Sequence, residues 1–324
     1  DLDLKEVKKK YENQFGVNLD KLEFIFTPLG GSASALKKLF WTKKWGALYY
    51  QTDGSIFYSW AKKSILHIQI PLQISKHRLW EKIKLRTFKV KNTNSYFTKK
   101  IIEKYWGVKI DFVHQPAINV AEFLPAGVKK TKTILNVGRF FENLHCKNQD
   151  ALVEFFIHLK NKYPADLRGW RLVLIGNVES KSYADKVRDL AKKEPKIEIY
   201  HGIGKEELVD FYKTSSIYWH ATGYFDDPLL HPEKMEHFGI TTLEAMAAGN
   251  VPVVINKGGQ PEVVGKKLSD CLWLTQRELE KNTLRVIRDR NLQLTYAKEA
   301  MRRATKFDLK HFEKTAWKML EFKK

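Results

Sequence analysis

A chain of 324 residues, 43% hydrophobic and 13% aromatic, is long enough for two globular domains and too apolar for disorder to dominate. Its two cysteines, Cys146 and Cys271, can build neither a disulfide framework nor a four-ligand zinc site, and they fit a reducing cytoplasm. The formal charge of +20 is unevenly placed: residues 31 to 110 hold 17 Lys and Arg against 3 Asp and Glu, whereas 131 to 324 hold 33 against 26. So cationic a first half attracts polyanions such as an anionic membrane face, phosphorylated substrates or nucleic acid, the plainer alternative being a solubilising coat of lysines. No apolar run reaches the roughly 18 residues that span a bilayer.

The chain opens "DLDLKEVKKK", with neither Met nor a signal-peptide pattern. The first third reads as α/β, with strands expected at "LEFIF" (22–26), "GALYY" (46–50), "SILHIQI" (64–70) and "TFKV" (87–90). A helix is expected over "SYFTKKIIEKYWG", where Phe97, Ile101, Ile102 and Tyr105 recur at helical spacing and Gly107 is placed to cap the end. "KIDFVHQPAI" reads as a strand running into a turn at Pro116. Residues 117 to 131 carry Pro125 and Gly127 without a clear period, which marks a linker. Beyond it the alternation is plainer. Strands at 133–138, 170–177, 197–202, 217–222 and 251–256 alternate with helices at 150–163, 180–194, 205–215 and 242–249, and a short helix starts at Pro261. Near-continuous apolar strands alternating with helices predict a parallel sheet covered on both faces. The tail "DLKHFEKTAWKMLEFKK" is a basic amphipathic helix. The expected organisation is a basic Rossmann-like unit over 1–120, a second α/β unit over 121–305 and a C-terminal helix, 306–324, packing back on the first.

Ligands of open α/β sheets sit beyond the carboxyl ends of strands, which selects two stretches. In "VGRFFENLHCKN", Gly138 lets backbone approach a ligand, and Arg139 and Lys147 supply a forked donor and a point charge for phosphate oxygens. Surface loops carry such cations everywhere, so this pair alone says little. In "EHFGITTLEAMAAG", Gly239, Ile240 and Thr241 lead into a helix N-terminus, whose free N–H groups and positive dipole end suit a phosphate. Glu244, one turn in, can accept hydrogen bonds from two ribose hydroxyls, and Glu236, before the turn, can face a second polyol such as a hexose. A plainer reading makes Thr241 a helix cap and Glu244 its capping-box partner, but it leaves Glu236 and the Gly239 turn unexplained. Asp226 and Asp227 in "YFDDP" do not make a D-x-D metal pair and read as loop.

"EHFGITTLEAMAAG" resembles the E-x7-E signature of retaining glycosyltransferases of the GT-B fold, family 4. "NVGRFFENLHCKNQDALVEF", "RLVLIGN", "IEIYHGIGKEELVDFY" and "VPVVINKGGQPEVV" agree with that family in order and spacing. The resemblance implies an α/β fold of two Rossmann-like domains facing a cleft. It implies that Glu244 binds the ribose of a nucleotide sugar and that Glu236 lies beside the transferred sugar. It further implies that Phe238, Gly239, Ile240 and Thr241 hold the diphosphate and sugar, that Gly138, Arg139 and Lys147 meet the diphosphate, and that the base stacks near Ile203. Catalysis in the family needs no divalent metal, and retention is described as front-face attack. "SILHIQIP" resembles the family strand that ends in a cleft histidine, here His67, and "NTNSYFTKKIIEKYWGV" resembles an acceptor-side strand-to-helix segment, so Asn94, Ser95 and Thr98 are expected to line the cleft.

The family normally opens with a strand and a Gly-rich loop that nothing before Leu22 matches. "TPLGGSASAL" (27–36) has the glycines but comes too late, so the first domain reads as incomplete by roughly 60 residues. The expected function is transfer of a hexose from a GDP- or UDP-linked sugar; "WHATGYFDDPLLHPEKMEHFG" resembles a subgroup of the family that includes mannosyltransferases, a resemblance that favours GDP-mannose. The acceptor is expected to be a glycan or lipid-linked molecule in cell-surface polysaccharide or glycoconjugate synthesis, and no cofactor is expected. Trp41, Trp45 and Trp80 among lysines suit an anionic membrane surface on the cytoplasmic face, and no nucleic acid partner is expected. The rival is a catalytically weak GT-B protein serving as a basic membrane- or nucleic-acid-binding module. A phosphorylase or an epimerase of the same fold fits less well, the first needing a much longer chain with a pyridoxal lysine and the second lacking the paired glutamates.

Overall fold

The computed structural model describes residues 3–15, 18–30, 32–52, 54–73 and 79–321. Gly31 of the glycine-containing stretch, the basic residues Lys76 and Arg78, and the last three tail residues lie outside the described residues.

Two parallel sheets organise the chain. After helices α1 (Leu4–Phe15) and α2 (Ala35–Lys43), the first sheet is laid down as β1 (Ala47–Thr52), β2 (Lys63–Ile68), β3 (Val90–Thr93) and β4 (Phe112–Val113), in that spatial order, with α3 (Leu79–Thr87) and α4 (Tyr96–Trp106) between strands. β2 is buried along almost its whole length, as a strand covered on both faces must be. Ser95 caps α4 by accepting from the Thr98 N–H, and Gly107 ends it in the left-handed region at φ 66°. Two expectations fail here. "LEFIF" joins neither sheet, and Phe26 is 70% exposed. "TFKV" straddles the end of α3 and the start of β3, the strand proper running three residues further.

The short helix α5 (Val120–Phe123) leads to the second sheet. Its strands are β5 (Thr133–Val137), β6 (Arg171–Ile175), β7 (Ile197–Tyr200), β8 (Ile217–His220), β9 (Val251–Ile255) and β10 (Leu272–Trp273). The intervening helices are α6 (Gln149–Lys162), α7 (Lys181–Ala191), α8 (Lys205–Thr214), α9 (Ile240–Ala247) and α10 (Gln260–Val264), and α11 (Gln276–Arg288), α12 (Arg290–Ala304) and α13 (Leu309–Glu321) follow. The spatial order β10-β9-β8-β5-β6-β7 is that of a nucleotide-binding sheet in which the chain starts centrally, winds to one edge, then returns and winds to the other. The direction reverses between β5 and β8, and the crevice at their carboxyl ends is where such sheets bind ligands. Every residue of β5, β8 and β9 is buried, and one continuous core from Ile118 to Phe307 fills both sides of the sheet.

Two contacts tie the sheets together. The Glu262 carboxylate on α10 accepts from the Tyr96 and Phe97 backbone N–H groups, at 2.9 and 3.1 Å, and from the Gln115 amide at 3.1 Å. A helix of the second unit thus satisfies the free first-turn donors of α4 in the first. Helix α13 lies on the first sheet, where Met319 is buried with Ile65 and Val90 and Phe312 stacks on His114 at 4.0 Å.

Candidate active site

The site is built at the β5/β8 reversal. Gly138 leaves β5 and its neighbour across the crevice, Gly176, leaves β6. A Cβ on Gly176 would collide with the Gly138 carbonyl oxygen, so the two turns nest only because this residue has no side chain. The loop then passes through two non-glycine residues of positive φ, His145 at 54° and Asn148 at 50°. Backbone held in such sparsely populated conformations is retained where the surroundings over-determine it. Here the Asn148 amide donates to the Ala221 carbonyl at 2.8 Å, and His145 contacts the Met235 carbonyl at 3.3 Å and packs edge-on against His237 at 4.4 Å. Between these anchors Lys147 runs its methylene stem across Gly138, where an added Cβ would stand 2.6 Å from Cγ.

The stem delivers the Lys147 ammonium to Glu236, Nζ to Oε2 at 2.6 Å, and His220 at the end of β8 reaches the same oxygen from Nε2 at 3.1 Å. Both ions are largely withdrawn from water. Burial alone would raise the Glu236 carboxyl, but the Lys147 charge and the His220 contact outweigh it and hold the group well below the usual carboxylate range. Burial keeps His220 below its ordinary value against the opposing pull of Glu236, so the ring is neutral at pH 7. A carboxylate only accepts, so the ring proton sits on Nε2 and leaves Nδ1, which has no partner among the described residues, as a bare acceptor.

Gly239 follows at φ 111°, and helix α9 begins at once. Thr241 is not its cap. Its hydroxyl accepts from Tyr218 at 2.8 Å, and Gly239 holds the cap position with no side chain to fill it. The first N–H groups of α9 are therefore left to a ligand. Glu244 makes no capping box either; it accepts from the Tyr212 hydroxyl at 2.8 Å. Burial pushes the Glu244 carboxyl up to about 7, the Tyr212 bond opposing. A raised folded-state value means that the folded chain holds more protons than the unfolded one, so this group lowers stability as pH climbs from about 4.5 to 7. Ribose hydroxyls would favour the ionised form. Affinity for a nucleotide sugar, whose diphosphate has no ionisation near neutrality, should therefore rise about tenfold from pH 6 to pH 8. Calorimetry at the two pH values checks this, and Glu244→Gln should flatten the dependence.

The remaining expected residues are placed less uniformly. Arg139 points to Glu179 at 3.2 Å in a half-exposed pair worth about 0–1 kcal/mol, so its guanidinium is readily exchanged to a stronger anion. Ile203 is half-buried in the loop after β7. Ile240 is exposed, whereas the Phe238 ring is buried against Phe307 at 5.6 Å. Asp226 is bound by Lys234 and Asp227 by the Leu229 N–H, so both carboxylates anchor their own loop.

On the acceptor side the residues turn inward. His67 on β2 is 5% exposed, pairs through Nδ1 with the Asn92 side chain and stacks on Tyr49 at 5.7 Å. Burial takes its ring down to about 4, against the Asn92 bond, so it is neutral at pH 7. The Ser95 hydroxyl is spent on the α4 cap with Thr98, and the Asn94 amide donates to the Gln69 carbonyl at 3.2 Å. Sequence reasoning missed His220, Tyr212 and Tyr218. His220 stands at a strand carboxyl end and was open to the same rule that selected Gly138. Tyr212 lies mid-helix and is brought to Glu244 only by packing.

Solved structures share this architecture. A glycosyltransferase from Rickettsia africae ESF-5 superposes with a TM-score of 0.64 at 18% identity, over 82% of this chain and 73% of that one. Anabaena Alr3699/HepE, solved in complex with UDP and glucose, gives 0.60 at 16% identity, over 79% and 71%. The likeness shows the GT-B fold, two Rossmann-like units. Among curated proteins, the GDP-Man:Man(3)GlcNAc(2)-PP-Dol alpha-1,2-mannosyltransferase of Dictyostelium discoideum is 30% identical over 138 residues, 40% of this chain and 25% of that protein. The Mus musculus protein of the same name is 29% identical over 175 residues, 51% of this chain and 34% of its own. The matched stretches thus span a quarter to a third of these relatives. The sequence model described as "Glycosyl transferases group 1" matches residues 123–303, more than half of the chain and the whole of the site around Glu236. The chain belongs to the glycosyl transferases group 1 family.

Proposed function

We propose that the chain transfers mannose from GDP-mannose, with retention, to a glycan acceptor carried on a lipid. One observation carries the reading: a buried carboxylate, Glu236, held ionised by Lys147 and His220, stands beside uncapped helix N–H groups at the sheet's reversal point. The named relatives supply the sugar and the acceptor class. Glu244 and Tyr212 take the ribose. Lys147, Arg139 and the α9 amides take the charge that develops on the diphosphate as the C1–O bond breaks. Glu236 faces the sugar, whose anomeric carbon becomes positive. The acceptor hydroxyl attacks the same face, forms the new C1–O bond and passes its proton to the departing phosphate oxygen. An α-mannoside made in this way from an α-linked donor keeps its configuration. The cations present can neutralise the leaving group without a divalent metal.

The basic first unit we assign to an anionic membrane surface. Phe40 (57%) and Trp60 (50%) are exposed edge to face at 5.7 Å with the Lys43 ammonium 6.0 Å from the Trp60 ring, Lys37 and Lys44 are exposed on or beside α2, and Trp80 (68%) is exposed on α3; about 1 kcal/mol per cation near an acidic leaflet holds such a surface reversibly. Among the described residues no helix is long and apolar enough to cross a membrane. Co-sedimentation with acidic but not neutral vesicles, reversed by salt, is expected, and binding that ignores lipid charge would rule the assignment out. The function itself is tested by transfer of labelled mannose from GDP-mannose to a lipid-linked oligosaccharide, which should persist in excess EDTA. Absence of transfer with binding of a different nucleotide sugar would refute the donor assignment.

A further inference from the structure

Gln260 opens α10 and is fully buried, and its side-chain amide atoms, Nε2 and Oε1, have no hydrogen-bond partner among the described residues. Its head lies over Gly239: a Cβ on that glycine would stand 2.7 Å from Nε2, 3.1 Å from Cδ and 3.2 Å from Oε1. The Thr242 hydroxyl in the first turn of α9 is also buried and has no hydrogen-bond partner among the described residues. A buried amide left without partners is costly, and a chain that needed only to fill this volume could do so with an apolar side chain. The Gln260 head thus lies over a turn that has a left-handed glycine and an uncapped helix start, where the backbone has conformational freedom that a residue with a Cβ lacks. Two residues on, Glu262 fixes α10 against α4, so the Gln260 backbone is held; the Gly239 carbonyl is committed to the Leu243 N–H at 3.1 Å, which leaves the peptide between Phe238 and Gly239 as the one that can turn.

We propose that Gln260 is a positioning residue for the phosphate-binding turn, its amide pairing with the Gly239 peptide when a diphosphate occupies the N-terminus of α9. The diphosphate draws the turn's N–H groups toward itself. The Phe238–Gly239 peptide rotates and presents the Phe238 carbonyl to Nε2–H or the Gly239 N–H to Oε1, and the pairing forms in the complex. Part of the binding free energy thus comes from satisfying a group that is unsatisfied beforehand, which makes Gln260 matter to ligand affinity more than to the free fold. This rests on the reading of the α9 N-terminus as a diphosphate site, and not on which nucleotide or sugar is bound.

The test is Gln260→Met, close in volume and unbranched, with Gln260→Leu as a second apolar variant, each compared with wild type in thermal melts without ligand, with GDP-mannose and with pyrophosphate. The free variants are expected to melt at or above the wild-type temperature, while affinity for both ligands falls about tenfold. A variant that melts lower when free yet binds both ligands as wild type does would make Gln260 a packing residue and overturn the proposal. If pyrophosphate shows the Gln260-dependent loss and GDP-mannose does not bind wild type, the donor assignment fails and the positioning role stands. If neither ligand binds wild type, both fail.

Discussion

Replacing Lys147 with Met is expected to lower turnover by about 10²- to 10³-fold, the range for removing one pre-placed group from a developing anion. Met keeps the stem that packs across Gly138 and removes only the charge. Two effects then act together. The departing diphosphate loses its buried cation, and Glu236 loses the partner that offsets the burial of its carboxylate. The carboxyl should rise toward the ordinary range or above it, so activity in the variant should require higher pH than in wild type. Binding of guanosine, which has no phosphate, should be unchanged. Steady-state kinetics and nucleoside titration on one preparation check this, and an equal loss for guanosine and for GDP would make Lys147 structural.

Gly258→Ala should be nearly as damaging, by a different route. Gly258 has φ 62°, and an added Cβ would strike the Glu236 carbonyl oxygen and stand 3.0 Å from the Met235 Cβ. The neighbouring Gly259 N–H donates to that same carbonyl at 2.7 Å. The β9–α10 turn is thus the mould against which the Glu236 backbone is set, and the glycine is needed for closeness as well as for φ. Strain at such a position costs about 1–3 kcal/mol, and a displacement near 1 Å at the reacting groups can cost about 10²-fold in rate. Gly107→Ala is the control. It shares the positive φ, at 66°, but has open space around it, so it should lose stability without losing turnover. Equal activity in the two variants would show that the contact with Glu236 does not position it.

These variants also show how far the sequence could be read. The second sheet was legible because β5, β8 and β9 are buried on both faces, and a strand in that position carries a near-continuous apolar run. In the first sheet β1 and β2 were legible, β3 was placed three residues early, and one expected strand joins no sheet. "LEFIF" has strand composition, but a strand exists only if a partner edge is offered, and that is settled by distant residues. Glu236, Glu244 and Lys147 could be picked out because each sits beside a local signal, a glycine turn or a helix start. Of their partners, His220 ends β8 and was open to the strand-end rule, whereas Tyr212 comes from α8 and Gln260 from α10, and nothing local distinguishes those two side chains from core residues. The Thr241 cap failed for a related reason. Tyr218 takes the hydroxyl from across the sheet, and Gly239 leaves the helix start open.

The measurement closest to the central claim is a calorimetric titration of the full chain with GDP-mannose, repeated on Glu244→Ala. Wild type should bind, and the variant should bind more weakly by about 1.5–3 kcal/mol, the range for losing hydrogen bonds to a charged group. A folded variant that binds GDP-mannose as tightly as wild type would contradict the placement of the nucleotide at the β5/β8 crevice.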